Sequence, residues 1–293
     1  MRAGVATIIA LFYVPVALGQ VTQLMTLEQM RRDLARVDKS LEETREKLKT
    51  VRDARFLPDL YFALAEFYVE KSRYMYALKV AENPKTPMEE LDFTAERRPK
   101  AQAIEAYDMI IDKFPKLPER DKAFFFKAHE LRELGKLEDM VKTYAQLTKE
   151  YPQSEFWTES QVIIGDYFFE EKKDIDLALE VYQKILDRPP TPFTPLANYK
   201  IGWCLINKNE FKKALLSFER VLNENKDVDI SKLPEIFRKT DVRRDALLAM
   251  VWPYSEVPVK EIVKMGSDIR GRPLDYFYEP KQLQAAERLC GVD

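Results

Sequence analysis

The stretch ANYKIGWCLINKNEFKKALLSFERVL, Ala197 to Leu222, decides the fold. Ile201, Gly202 and Leu205 share one face of a first helix. A tight turn at Asn209 follows. Phe211, Ala214, Phe218 and Val221 then share one face of a second helix. The preceding unit repeats the rhythm with Ile164, Gly165 and Phe168, then Ala178, Tyr182 and Ile185. The unit before that has Phe124, Ala128, Leu131, Gly135 and Leu137, then Met140, Tyr144, Leu147 and Pro152. The small residues Ala128, Gly165 and Gly202 recur every 37 residues. A small residue lets paired helices approach closely, and the larger one three positions on fills the space beside it. Self-similarity at this period means an array of helical hairpins.

Outward from this stretch, Phe56 to Ala81 reads as a long helix in which Tyr61, Leu64, Ala65 and Tyr68 repeat the first-helix pattern. Its return helix is delayed by the proline-bearing ENPKTPMEELDF, Glu82 to Phe93, and is supplied by Ala103, Tyr107, Ile110 and Pro115. Beyond Leu222 the rhythm weakens. Asp241 to Trp252 reads as a helix stopped by Pro253, with Ala246, Leu247, Ala249 and Met250 as packing positions. Val259–Ile269 and Lys281–Cys290 read as further short helices. The chain ends without a polar capping helix, which predicts that it continues in a longer protein.

The three units resemble the tetratricopeptide repeat, whose pattern W-x2-L-G-x2-Y…A-x3-F…P they follow in part. The resemblance implies an all-α, right-handed helical-hairpin solenoid over residues 56–222, with an insertion near 82–95. It implies a role in protein–protein interaction rather than catalysis. Residues 223–293 read as a degenerate helical segment.

Residues 1–19 differ. Arg2 precedes an apolar run from Ala3 to Leu18, closed by Ala17-Leu18-Gly19. This predicts a secretory signal peptide cleaved before Gln20, rather than a membrane anchor. No cysteine follows the run, so a lipoprotein is not expected. The expected location is the periplasm of a Gram-negative bacterium, or another exported site. Residues 24–55 carry an unbroken heptad: Leu27, Met30, Leu34, Val37, Leu41, Thr44, Leu48 and Val51. The seam predicts either a coiled coil, and hence self-association, or a helix docked on the chain's own repeats. A parallel pair would set Asp33 against Asp38 and Lys47 against Arg52, so antiparallel pairing or docking is favoured.

This order of signal peptide, coiled coil and repeats resembles the periplasmic cell-division coordinator family. RRDALLAMVWPYSEV, Arg243 to Val257, resembles a segment of deltaproteobacterial gliding-motility repeat proteins. The implied function is a non-catalytic scaffold of the cell envelope, with a partner peptide or helix in the concave groove. The alternatives are the helical part of a larger cell-wall enzyme, or a component of a gliding-motility or envelope-spanning machine.

Composition excludes several classes. The net charge is −2 over 293 residues and no long basic block occurs, so no nucleic-acid surface is expected. His129 is the only histidine, and no phosphate loop or dinucleotide fingerprint appears, so no metal, cofactor or catalytic site is expected. Adjacent carboxylates Glu89-Glu90 and Glu170-Glu171 point to different sides of a helix and read as solvated. Cys204 reads as a small buried residue, with a Cys204–Cys290 bridge as the alternative.

In repeats of the resembled type the first helices line the groove. The positions implied are Phe62, Glu66 and Val69, then Phe125, His129 and Arg132, then Val162, Asp166 and Phe169, then Tyr199, Trp203 and Ile206. The competing expectation is that the heptad helix or the Glu82–Phe93 insertion fills the groove from within.

Overall fold

The computed structural model describes residues 26–224 and 241–258. The predicted signal peptide, the short helices after Pro258 and Cys290 lie outside them. The described residues form helices and no strand, and no helix among them is long and apolar enough to cross a membrane. The all-α helical-repeat class holds. The chain divides into two compact units, the first closing at Trp157 and the second opening at Thr158.

The first unit begins with α1, Leu27–Thr50. Thr26 opens it with a capping box: its hydroxyl accepts from Gln29 N, and the Gln29 side chain accepts from Thr26 N. The heptad seam is used within the chain. Met30, Val37, Leu41 and Thr44 are buried, and α1 packs on α2, Leu57–Glu82. Polar ties fix the two as antiparallel. Arg31 pairs with Glu82 at 2.7 Å, Asp38 with Lys71 at 2.6 Å, and Arg45 Nη2 donates to the Tyr68 hydroxyl at 2.7 Å. Of the two readings of the seam, docking is the one adopted. Pro58 in the first turn of α2 suits a helix start, where its missing N–H costs nothing.

α2 runs for 26 residues and its return helix α3, Thr94–Lys113, for 20. The four first and second helices beyond Trp157 run for only 12 to 14. Much of the extra length of this repeat is therefore helix, and the loop is residues 83–93. That loop folds back: Phe93 stacks on Tyr76 at 4.6 Å, and Lys79 reaches the Asp92 carbonyl. Helix α4, Arg120–Glu133, and α5, Leu137–Glu150, complete the unit. Arg120, at the start of α4, ties α3 to α5, donating to Ile111 O at 2.9 Å and pairing with Glu150 at 2.8 Å.

The second unit holds α6 (Trp157–Glu170, whose first residue closes the first unit), α7 (Ile175–Leu186), α8 (Thr194–Asn207) and α9 (Phe211–Glu224). Two short helices follow, α10 (Arg243–Ala249) and α11 (Val251–Glu256). Its core includes Ala178, Tyr182, Ile201, Cys204, Leu205, Ala214, Phe218, Ala246 and Met250.

Three turns, α4–α5, α6–α7 and α8–α9, each use one left-handed residue: Gly135 (φ 74), Lys173 (φ 55) and Asn209 (φ 58). At Gly135 and Asn209 the turn is a Schellman motif: Lys136 N donates to Leu131 O at 2.9 Å, and Glu210 N to Leu205 O at 2.8 Å.

One helix boundary differs from expectation. The helix breaks after Ala249 rather than at Pro253, and Pro253 sits buried inside α11. Pro253 has no N–H for the Ala249 carbonyl, so the ladder opens one turn upstream of the proline.

Candidate functional site

The first unit assembles a strip of half-buried rings and accessible charges from α2 and α4. Phe62 and Glu66 lie one turn apart on α2, and Lys122 of α4 reaches both. Its ammonium stands 5.2 Å from the Phe62 ring centroid and 3.9 Å from Glu66 Oε1. Phe126, one turn beyond Lys122, offers a second ring 5.7 Å from the same ammonium. Tyr107 of α3 backs both rings, edge-on to Phe62 at 6.3 Å and stacked on Phe126 at 6.2 Å. Tyr107 itself is 2% exposed. Burial first, then the Glu130 and Glu66 carboxylates, hold its hydroxyl well above the usual phenol range.

His129 continues the strip and is half-exposed, with Nδ1 3.3 Å from Glu130 Oε1. Glu130 is buried, and Lys100 of α3 lies 3.9 Å from it and 3.1 Å from Glu133. Val69 and Arg132 are half-buried.

Phe125 is a correction. It is 8% exposed, stacks on Phe156 at 4.5 Å and meets Tyr144 edge-on at 5.8 Å. The strip residue is Phe126, with Lys122 four positions before it. Three consecutive phenylalanines, Phe124 to Phe126, erase the periodic signal that would have chosen between them. Lys122 carried no sequence signal beyond its charge.

In the second unit Val162 (1% exposed) and Ile206 (3%) are interior and are also corrections. A helix buried on more than one side turns positions beside its packing stripe into core. Asp166 is committed to its own unit. The Tyr182 hydroxyl donates to its Oδ1 at 2.5 Å, and Lys200 pairs with it at 2.8 Å. Phe169 is half-buried against the core. Tyr199 and Trp203, one turn apart on α8, are likewise partly buried against the core. They meet edge-on at 6.3 Å over Phe218, which lies 5.8 Å from the first and 6.2 Å from the second. Burial raises the Tyr199 hydroxyl above its ordinary range.

The arrangement is one of contact surfaces. Among the described residues no group of three His, Cys, Asp or Glu side chains could hold a metal ion. Cys204 is fully buried, and burial pushes its thiol up to about 12, which removes it from nucleophilic chemistry at neutral pH. A shallow cleft of about 420 Å³ opens at the α1–α2 turn, lined by Lys47, Thr50, Val51, Phe56, Asp59 and Leu60.

A family model described as tetratricopeptide repeat matches residues 131–154 and 196–227. The chain thus carries tetratricopeptide repeats, which generally mediate protein–protein interaction. No curated protein matches. Among solved structures, the crystal structure of BtubC (BKLC) from P. vanneervenii is similar at 14% identity and a TM-score of 0.49, over 77% of this chain and 83% of that one.

Proposed function

We propose that this chain is a non-catalytic protein–protein interaction scaffold of the bacterial cell envelope, and that it binds an extended peptide or a partner helix on the first helices of its repeats. The observation that carries the reading is the strip of Phe62, Glu66, Lys122, Phe126 and His129. Half-buried rings beside accessible charges are what an interface uses for anchoring and for orientation. Within the second unit, the partly buried pair Tyr199 and Trp203 offers similar ring chemistry. Export to the periplasm rests on Arg2 and the apolar run Ala3–Leu18.

The experiment places a photo-crosslinking amino acid at Glu66 or His129 of the full chain in a Gram-negative host. Glu105 and Gln146, exposed on second helices, serve as controls. Discrete adducts from the first pair and none from the controls support the reading. Equal labelling from all four positions overturns it. Recovery of the unprocessed chain, beginning at Met1, from the cytoplasm overturns the envelope assignment.

A further inference from the structure

The strip contains a constellation whose chemistry is narrower than a general interface. Two ring faces and a carboxylate surround one ammonium: Phe62, Phe126 and Glu66 around Lys122. These are the parts of a cation receptor. They come from two helices, and buried Tyr107 of a third fixes the two rings from behind. We propose that Phe62, Phe126 and Glu66 receive a cationic side chain, arginine or lysine, from an extended partner segment, and that Lys122 occupies this seat in the free protein. The proposal rests on the reading that this face binds a partner.

Three observations support an exchangeable occupant. Lys122 is 39% exposed and Glu66 63%, and their 3.9 Å separation is a loose pair. Exposed pairs of this kind hold weakly, and the lysine stem rotates freely into solvent. The second unit shows what a fixed tie looks like: Lys200 and Asp166 are each 15% exposed and stand 2.8 Å apart, with Tyr182 donating to the same carboxylate oxygen. Lys122 has no such lock. Burial chiefly, and after it the Glu130 and Glu66 carboxylates, raise the Tyr107 hydroxyl, and those two carboxylates favour a cation beside the rings. An incoming guanidinium would lie flat on a ring and fork onto Glu66, which an ammonium cannot do.

The test uses the full chain and two fluorescein-labelled peptides, one alternating arginine and serine, the other glutamate and serine. Fluorescence anisotropy reads affinity. Lys122→Ala removes the competitor and is expected to tighten the arginine peptide about two- to fivefold. Lys127→Ala removes a charge of α4 that is paired elsewhere, with Asp108 at 2.6 Å, and is expected to leave affinity unchanged. Adding Phe62→Ala to Lys122→Ala is expected to abolish the gain. The glutamate peptide is expected not to bind.

Equal tightening by Lys127→Ala shows a net-charge effect and overturns the seat. So does unchanged or weakened binding in Lys122→Ala with the melting temperature kept. If Lys122→Ala melts early, Lys122→Met keeps the stem packing and is read by the same criteria. Crosslinked adducts at Glu66 and His129 together with an indifferent Lys122→Ala would remove the seat and leave the scaffold reading standing. Absent adducts at both positions would remove the scaffold reading and, with it, the seat that rests on it.

Discussion

The ring of Tyr182 lies on Gly165. A Cβ built at Gly165 would stand 2.7 Å from Tyr182 Cζ and 2.8 Å from Cδ1. The same relationship recurs one hairpin later, where a Cβ at Gly202 would stand 2.6 Å from Phe218 Cζ. Both rings are fully buried and cannot retreat without opening the core. Gly165→Ala and Gly202→Ala are each expected to cost about 1–3 kcal/mol by overpacking, although alanine is the better helix former. Denaturant melts of the single variants check this. A stabilising result for either would show that the ring moves aside freely.

The left-handed turn residues give a prediction of opposite sign. Lys173 holds φ 55 with a full side chain, where glycine would be unstrained. Lys173→Gly is expected to stabilise by about 0.5–1 kcal/mol. Gly135→Ala, at φ 74 with open space around its Cα, is expected to destabilise by about 1 kcal/mol through backbone strain alone. Thermal melts of the two variants should move in opposite directions.

Burial pushes the Glu219 carboxyl on α9 up to about 7. The sign follows from proton linkage. Between the unfolded value of about 4.5 and the folded value of about 7, the folded chain binds the proton and the unfolded chain has lost it. Stability therefore falls as pH rises through that window and levels off above it. Glu219→Gln is expected to raise stability at pH 8 by about 1–2 kcal/mol and to make little difference at pH 4. Equal melting temperatures of the two proteins at pH 8 would sink the assignment.

The docked seam predicts the effect of a charge inside it. Leu41 is 2% exposed, between α1 and α2. Leu41→Asp is expected to cost about 3 kcal/mol or more, because the carboxylate has no partner there. Hydrogen exchange should then quicken along Leu27–Thr50. Unchanged exchange and stability would mean that α1 does not rest on α2 in solution.

Modification of Cys204 offers a further check on the second unit. Its thiol is buried beside Phe218 and Ala214 in one core cluster and is pushed up to about 12. The native protein is expected to leave Cys204 unreacted with iodoacetamide over hours at pH 8, and the denatured protein to react within minutes. Rapid native labelling at Cys204 would show that the second unit opens readily.

The sequence by itself determined the repeat. The spacing of Ala128, Gly165 and Gly202, the turn residues Gly135 and Asn209, and the period of the apolar faces are local facts, because helix geometry maps spacing directly onto one face. It also reduced the seam from Leu27 to Val51 to two choices, a coiled coil or a docked helix. Only the tertiary structure decided between them, since an apolar stripe does not state which surface covers it, and Lys71, Tyr68 and Glu82 lie far along the chain. The same reason limits the candidate site. Phe62, Glu66 and His129 were legible through the repeat resemblance as positions that stay at least partly exposed. Phe125, Val162 and Ile206 were not, because their burial comes from neighbouring segments that the local pattern cannot see. The pairing of Asp166 with Tyr182 and Lys200, and of Lys122 with two rings and Glu66, depends on how helices are rotated about their own axes. Long-range packing sets that rotation, and no spacing along the chain records it.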